Sequence, residues 1–161
     1  MNKSGDSKVK LRPMEEDDLA FFLEVRNECS EMLHNPGKFE LEEALEWFRT
    51  QSKVRYQIIE VEKKAVGYIR TSADGPNSIQ IGVDIHKDYR RNGYARQAYD
   101  IAIDLHRPVW WLDKLTLQVL SHNEGAIKLY KEVGFKVVKV EKDYTERNGH
   151  VLDNIYMEYE L

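Results

Sequence analysis

A chain of 161 residues with 42% hydrophobic and 32% charged residues has the make-up of an ordinary globular protein, long enough to build one core. Its 28 acidic side chains outnumber the 24 basic ones, which argues against a nucleic-acid partner, and no apolar run approaches the roughly 18 residues of a membrane span. The lone Cys29 excludes an intramolecular disulfide and fits a reducing, cytoplasmic compartment.

The first stretch, MNKSGDSK, is polar and has no signal-peptide core; residues 1–8 read as a disordered tail, with a single domain over 9–161. VKLRP is a short alternating strand stopped by Pro13, and EEDD then places acids in the first turn of a helix, where the helix dipole favours them. Leu19, Phe22, Leu23, Arg26, Cys29 and Leu33 follow at helical spacing. HNPGK breaks the chain, and LEEALEWFRTQ restores the helical period. RYQIIEV, AVGYIRTS and SIQIGVDI are strands separated by EKK and DGPN, a meander of antiparallel hairpins. YARQAYDIAIDLHR is a helix ended or kinked near Pro108, KLTLQVL a strand, and NEGAIKLYKEVGF a helix closed by Gly134. KVVKVEKDYTE and HVLDNIYMEYEL form a last hairpin around Asn148 and Gly149. This order predicts an α/β fold of mixed (α+β) type, with a mostly antiparallel central sheet and helices on its faces.

Arg90, Arg91, Asn92, Gly93, Tyr94 and Ala95 lie where a strand feeds a helix. Helix-start amides are hydrogen-bond donors that bind phosphate oxygens, Gly93 allows close approach, and guanidinium groups add paired donors. A pyrophosphate suits such a loop, although neither GxGxxG nor a Walker lysine motif is present. A merely basic, solvated turn is the bland alternative. Further on, Asn123, Ala126, Leu129, Tyr130, Gly134 and Phe135 fall into the spacing NxxAxxLYxxxGF.

Together RxxGxA and NxxAxxLYxxxGF resemble the GNAT superfamily of acetyl-CoA-dependent N-acetyltransferases, over the chain from Val9 onward. The resemblance implies a splayed strand pair with coenzyme A in the cleft between the strands. Val83 and Ile85 become backbone partners of the pantetheine arm, and Arg90, Arg91, Asn92, Gly93, Tyr94, Ala95 and Arg96 become the pyrophosphate cradle. Asn123 and Tyr130 fall near the thioester. The implied reaction moves an acetyl group from acetyl-CoA to a primary amine by direct attack; Cys29 lies far from both motifs in sequence, and no cysteine nucleophile dyad is recognisable. Tyr130, with an ordinary pKa of about 10, suits proton donation to a departing thiolate, while packing on an amphipathic helix is its structural alternative. The Val83 region would hold the oxyanion.

No general base declares itself. Asp84 is the first candidate; His86 and Glu60 are alternatives, and exposed surface charge is the plainer reading of all three. Arg26, on the apolar stripe of the first helix, either pairs with a buried carboxylate or meets an acidic part of the acceptor. Asn27, Glu28 and the loop from His34 to Lys38 would complete the acceptor wall. Five scattered histidines offer no metal-ligand spacing, so no metal is expected. Trp47, Trp110 and Trp111 read as core or interface aromatics, the last two as a homodimer contact. The ending resembles members that acetylate ribosomal protein N-termini or polyamines, and the first helix pair those that modify nucleotide-linked amino sugars. The acceptor is thus a small-molecule amine such as a polyamine, an amino sugar or a nucleotide-linked amino sugar. A protein N-terminus, or a non-catalytic acyl-CoA sensor, remains an open alternative.

Overall fold

A computed structural model describes residues 8–50 and 54–161. The expected tail therefore lies, except for Lys8, outside the described residues. Among these residues one sheet has the order β1-β2-β3-β4-β5-β7-β6. Its strands are β1 (Val9–Pro13), β2 (Val54–Val61), β3 (Lys64–Ala73), β4 (Ser78–Ile85), β5 (Lys114–Leu120), β6 (Lys136–Arg147) and β7 (His150–Glu160). The helices are α1 (Leu19–Glu28), α2 (Leu41–Thr50), α3 (Tyr94–His106) and α4 (Glu124–Val133). Every neighbouring pair is antiparallel except β4 with β5.

Alternation along the strands sends apolar side chains to both faces, and helices cover each. On one face Leu19, Phe22, Leu23 and Val25 of α1 bury against Ile58 and Tyr68, with Ala44 of α2 beside them. On the other, Tyr99, Ala102 and Ile103 of α3 pack on Ile69, Ile81, Leu115 and Leu117, with Phe135 and Met157 filling the layer beneath α4. Arg12 closes the junction between β1 and α1 through Asp18, with both contacts at 2.7 Å. That pairing holds the Asp18 carboxyl below the usual carboxylate range.

Most element ends fall within a residue of the sequence expectation, and two places need comment. The first helix does not run to Leu33: α1 ends at Glu28, a tight turn covers Ser30–Met32, and Leu33 is extended. Asn27, Cys29 and Ser30 are weak helix formers, and the Asn27 amide is engaged outside the helix, so the turn wins over apolar spacing. β6 runs on to Arg147 with a register shift between Glu141 and Thr145, where Asp143 has φ 52°.

Candidate active site

The site begins with a failure of pairing. β4 and β5 run parallel and are bridged only at Ser78, Ile79 and Gln80, opposite Lys114, Leu115 and Thr116. Beyond Gln80 the two strands part. The His86 amide donates to the Val66 carbonyl, so by antiparallel alternation the amides and carbonyls of Ile81, Val83 and Ile85 point away from β3, toward the gap. Val83 therefore offers an unpaired strand edge, as expected. Ile85 does so only in part, because Arg90 Nε donates to its carbonyl at 3.0 Å.

The gap opens into a cleft of about 490 Å³. Val83 and Asp84 line it from β4, Leu117, Gln118 and Val119 from β5, Asn123 and Tyr130 from α4, and Arg26 with His34 from the α1 side. The spacing NxxAxxLYxxxGF now has a physical account. Asn123 takes the N-cap position of α4 without spending its side chain on a cap, and that side chain faces the cleft. Gly134, at φ 123°, ends the helix while its amide and that of Phe135 both donate to the Tyr130 carbonyl. This turn tucks Phe135 under Tyr130, 6.2 Å between ring centroids, and Tyr99 packs edge-on at 5.6 Å. Tyr130 keeps part of its surface open to the cleft, yet burial pushes its pKa up to about 12, with the Asp84 charge adding to the shift.

At the helix start, Arg91 and Gly93 both adopt left-handed backbone, with φ 63° and 77°. Asn92 fixes the turn by donating its side-chain amide to the Tyr89 and Arg90 carbonyls. The first backbone donor of α3 is Gln97, to the Gly93 carbonyl, so among the described residues the amides of 92–96 find no backbone acceptor. A Cβ built on Gly93 would meet nothing within 4 Å, so the space beside this residue is open. The loop fits a pyrophosphate. Its side chains divide differently from the expectation: Arg90 turns back to Ile85, Glu28 and Cys29, Arg96 lies beside Asp100, Tyr94 and Ala95 pack on the core, and Arg91 is exposed.

The acceptor side is built from the loop after α1. Arg26 donates to the carbonyls of Asn35 and Gly37 and lies 4.5 Å over the Phe39 ring. The expected carboxylate partner is not found among the described residues; backbone carbonyls take its place. Asn27 clasps the Phe39 backbone from both its amide and its carbonyl oxygen. From the far hairpin, Arg147 donates to the carbonyls of Glu31, Leu33 and His34. His34 Nε2 stands 2.7 Å from the side chain of the fully buried Asn154, which donates to Gln118.

Of the proposed bases, Asp84 lines the cleft and the other two do not. His86 is corrected from exposed to buried: it is 5% exposed, sits 2.9 Å from Glu24 and caps the turn at Asp88. Glu60 pairs with Arg12 at 3.1 Å. Cys29 is outside the cleft lining, and burial pushes its thiol up to about 11. Tyr56, Tyr68, Arg70 and Tyr144 also line the cleft and had no place in the sequence reading. Alternation in β3 put Tyr68, Arg70 and Ser72 on one face, which was the available signal.

No helix among the described residues is long and apolar enough to cross a membrane. The sequence model of the acetyltransferase (GNAT) family matches residues 19–135. The chain is 29% identical over 142 residues to spermidine N(1)-acetyltransferase of Escherichia coli K12, covering 80% of this chain and 73% of that one. It is 30% identical over 76 residues to the L-amino acid N-acetyltransferase AaaT of the same organism, 47% of each chain. The crystal structure of spermidine N-acetyltransferase from Vibrio cholerae, in complex with CoA and spermine, superposes with a TM-score of 0.86 at 22% identity over 96% of both chains. With a family match over most of its length and the cleft that match predicts, the protein belongs to the acetyltransferase (GNAT) family of acetyl-CoA-dependent N-acetyltransferases.

Proposed function

We propose that this enzyme acetylates the primary amine of a small molecule by direct attack on the thioester, inside the cleft between β4 and β5. The observation that carries this reading is the loss of pairing beyond Gln80 together with Tyr130 and Asn123 facing the space it creates. A cleft of about 490 Å³, walled by a loop that Arg26, Asn27 and Arg147 pin through its backbone, suits a compact ligand better than a polypeptide chain. Relatives named for spermidine and for L-amino acids are named for small amines as well.

Acetyl-CoA is the acyl donor, its pyrophosphate on the amides of 92–96 with Arg91, its pantetheine arm along Val83. The amine, in its neutral form, attacks the carbonyl carbon; a C–N bond forms as the C–S bond breaks, and the Val83 amide receives the oxyanion. Tyr130 donates a hydrogen bond to the departing sulfur. With its pKa at about 12 against about 8.5 for an ordinary thiol, complete transfer of its proton is uphill. The acidic ammonium formed at the acceptor gives its proton to the departing sulfur, while the Asp84 carboxylate holds the amine in place by accepting a hydrogen bond from its N–H. The Cys29 thiol, held protonated by burial, is a poor nucleophile, in keeping with direct attack. A homodimer is also part of the proposal, resting on Trp110, 91% exposed beside Trp111; light scattering on a sizing column checks it, and a monomer at all concentrations refutes it.

The test is thiol release from acetyl-CoA with small amines and N-terminal peptides, products identified by mass. Small amines should be acetylated and peptides should not; peptide acetylation alone would overturn the small-molecule reading.

A further inference from the structure

The cleft has a charge pattern that a generic amine does not call for. Among the described residues its charged lining is Arg26, Arg70 and one carboxylate, Asp84. Arg26 is occupied by the carbonyls of Asn35 and Gly37. Arg70 differs. It sits on β3 opposite Gly82, in line with Tyr56 on β2, and a Cβ added to Gly82 would stand 3.0 Å from Arg70 Nη2. Its guanidinium therefore lies across the strand whose next residue is Val83, in space that exists because position 82 has no side chain. Among the described residues no carboxylate comes within 4.0 Å of it, whereas Arg12, Arg49 and Arg90 all have such partners. The neighbouring Tyr56, Asp84 and Tyr68 offset the desolvation that works against its charge, so the guanidinium stays cationic. Partly buried guanidinium groups are stabilised by a carboxylate that takes two of their N–H donors.

We propose that the acceptor is an amine bearing a carboxylate close to the amino group, with Arg70 as the residue that receives that carboxylate. Ser72 and Gln80, paired across the same two strands and lining the same cleft, flank the guanidinium with further polar groups. A polyamine would set additional ammonium groups against two guanidinium groups and one carboxylate. The inference rests on the acetyl-transfer reading above and narrows its substrate class.

The experiment compares thiol release by the full chain with α-amino acids, with the matching amines that lack the carboxylate, and with spermidine. Amino acids should be turned over with kcat/KM about 10-fold or more above their decarboxylated counterparts. Arg70→Gln should raise the amino-acid KM by roughly 10- to 100-fold, the loss expected for a charge-assisted hydrogen bond, while the KM for acetyl-CoA holds and Arg70→Lys restores part of the loss. If Arg70→Gln fails to fold, Gly82→Ala, which displaces the guanidinium without removing it, should shift the same ratio. Equal or better turnover of spermidine or the decarboxylated amines, or an unchanged KM ratio in these variants, would overturn the carboxylate assignment and leave acetyl transfer intact. No thiol release with any amine from a protein that binds acetyl-CoA by calorimetry would overturn both.

Discussion

Tyr130 is where side-chain chemistry and pH meet. The hydroxyl must be protonated to donate to sulfur, and a pKa of about 12 keeps it so throughout the working range. Turnover should therefore rise with pH as the amine loses its proton and show no falling limb below about pH 11; a fall near pH 10 would mean that Tyr130 titrates as an ordinary tyrosine. Tyr130→Phe should lower kcat by about 10- to 100-fold with little change in acetyl-CoA affinity, and equal kcat would remove its role. Gly93, at φ 77°, tests the other end of the cofactor. In Gly93→Val the Cβ meets no atom within 4 Å, but a β-branched residue must be held in left-handed backbone, about 1–2 kcal/mol of strain or more. Calorimetry should show acetyl-CoA binding weakened by about 10-fold, and unchanged affinity would count against the loop. Tyr130, Asn123 and Gly93 were legible because spacing marks them. Arg70 was not, because a polar residue at alternate strand positions reads as a solvent face, and sequence does not show that α1 and its loop roof that face into a cleft.

At the scale of elements, the opening of the cleft depends on how tightly β3 holds β4 on its other side. Gly67 lies opposite Ile85, and a Cβ there would stand 2.2 Å from the Asp84 carbonyl oxygen. Backbone must shift to admit it. Gly67→Ala should destabilise the fold by about 2 kcal/mol or more and move the strand that carries Val83 and Asp84, so the urea midpoint and the activity should fall together. An unchanged midpoint would contradict the close packing of the two strands. Strand order and hairpins followed from alternation and turn residues, since each is a local signal. The early end of α1 did not, because it is decided by Asn27 reaching the Phe39 backbone and by Arg147 reaching the loop from the far hairpin. The first of these spans 12 positions and the second 114, beyond the reach of a helical period.

At the scale of the whole molecule, β4 and β5 part beyond their three bridged pairs, and the proposed chemistry occupies that break. In the proposed reading the donor's phosphates reach it from the start of α3, and the acceptor from beneath the loop after α1. Both substrates must then be present together, with no acetylated enzyme between them. The measurement that tests this most directly is the initial rate of thiol release with acetyl-CoA and an accepted amine varied against each other. Direct attack predicts reciprocal plots that intersect and no thiol released before the amine is added. Parallel lines, with a burst of thiol equal to the enzyme present, would mean that the acetyl group rests on the protein first and would contradict the account.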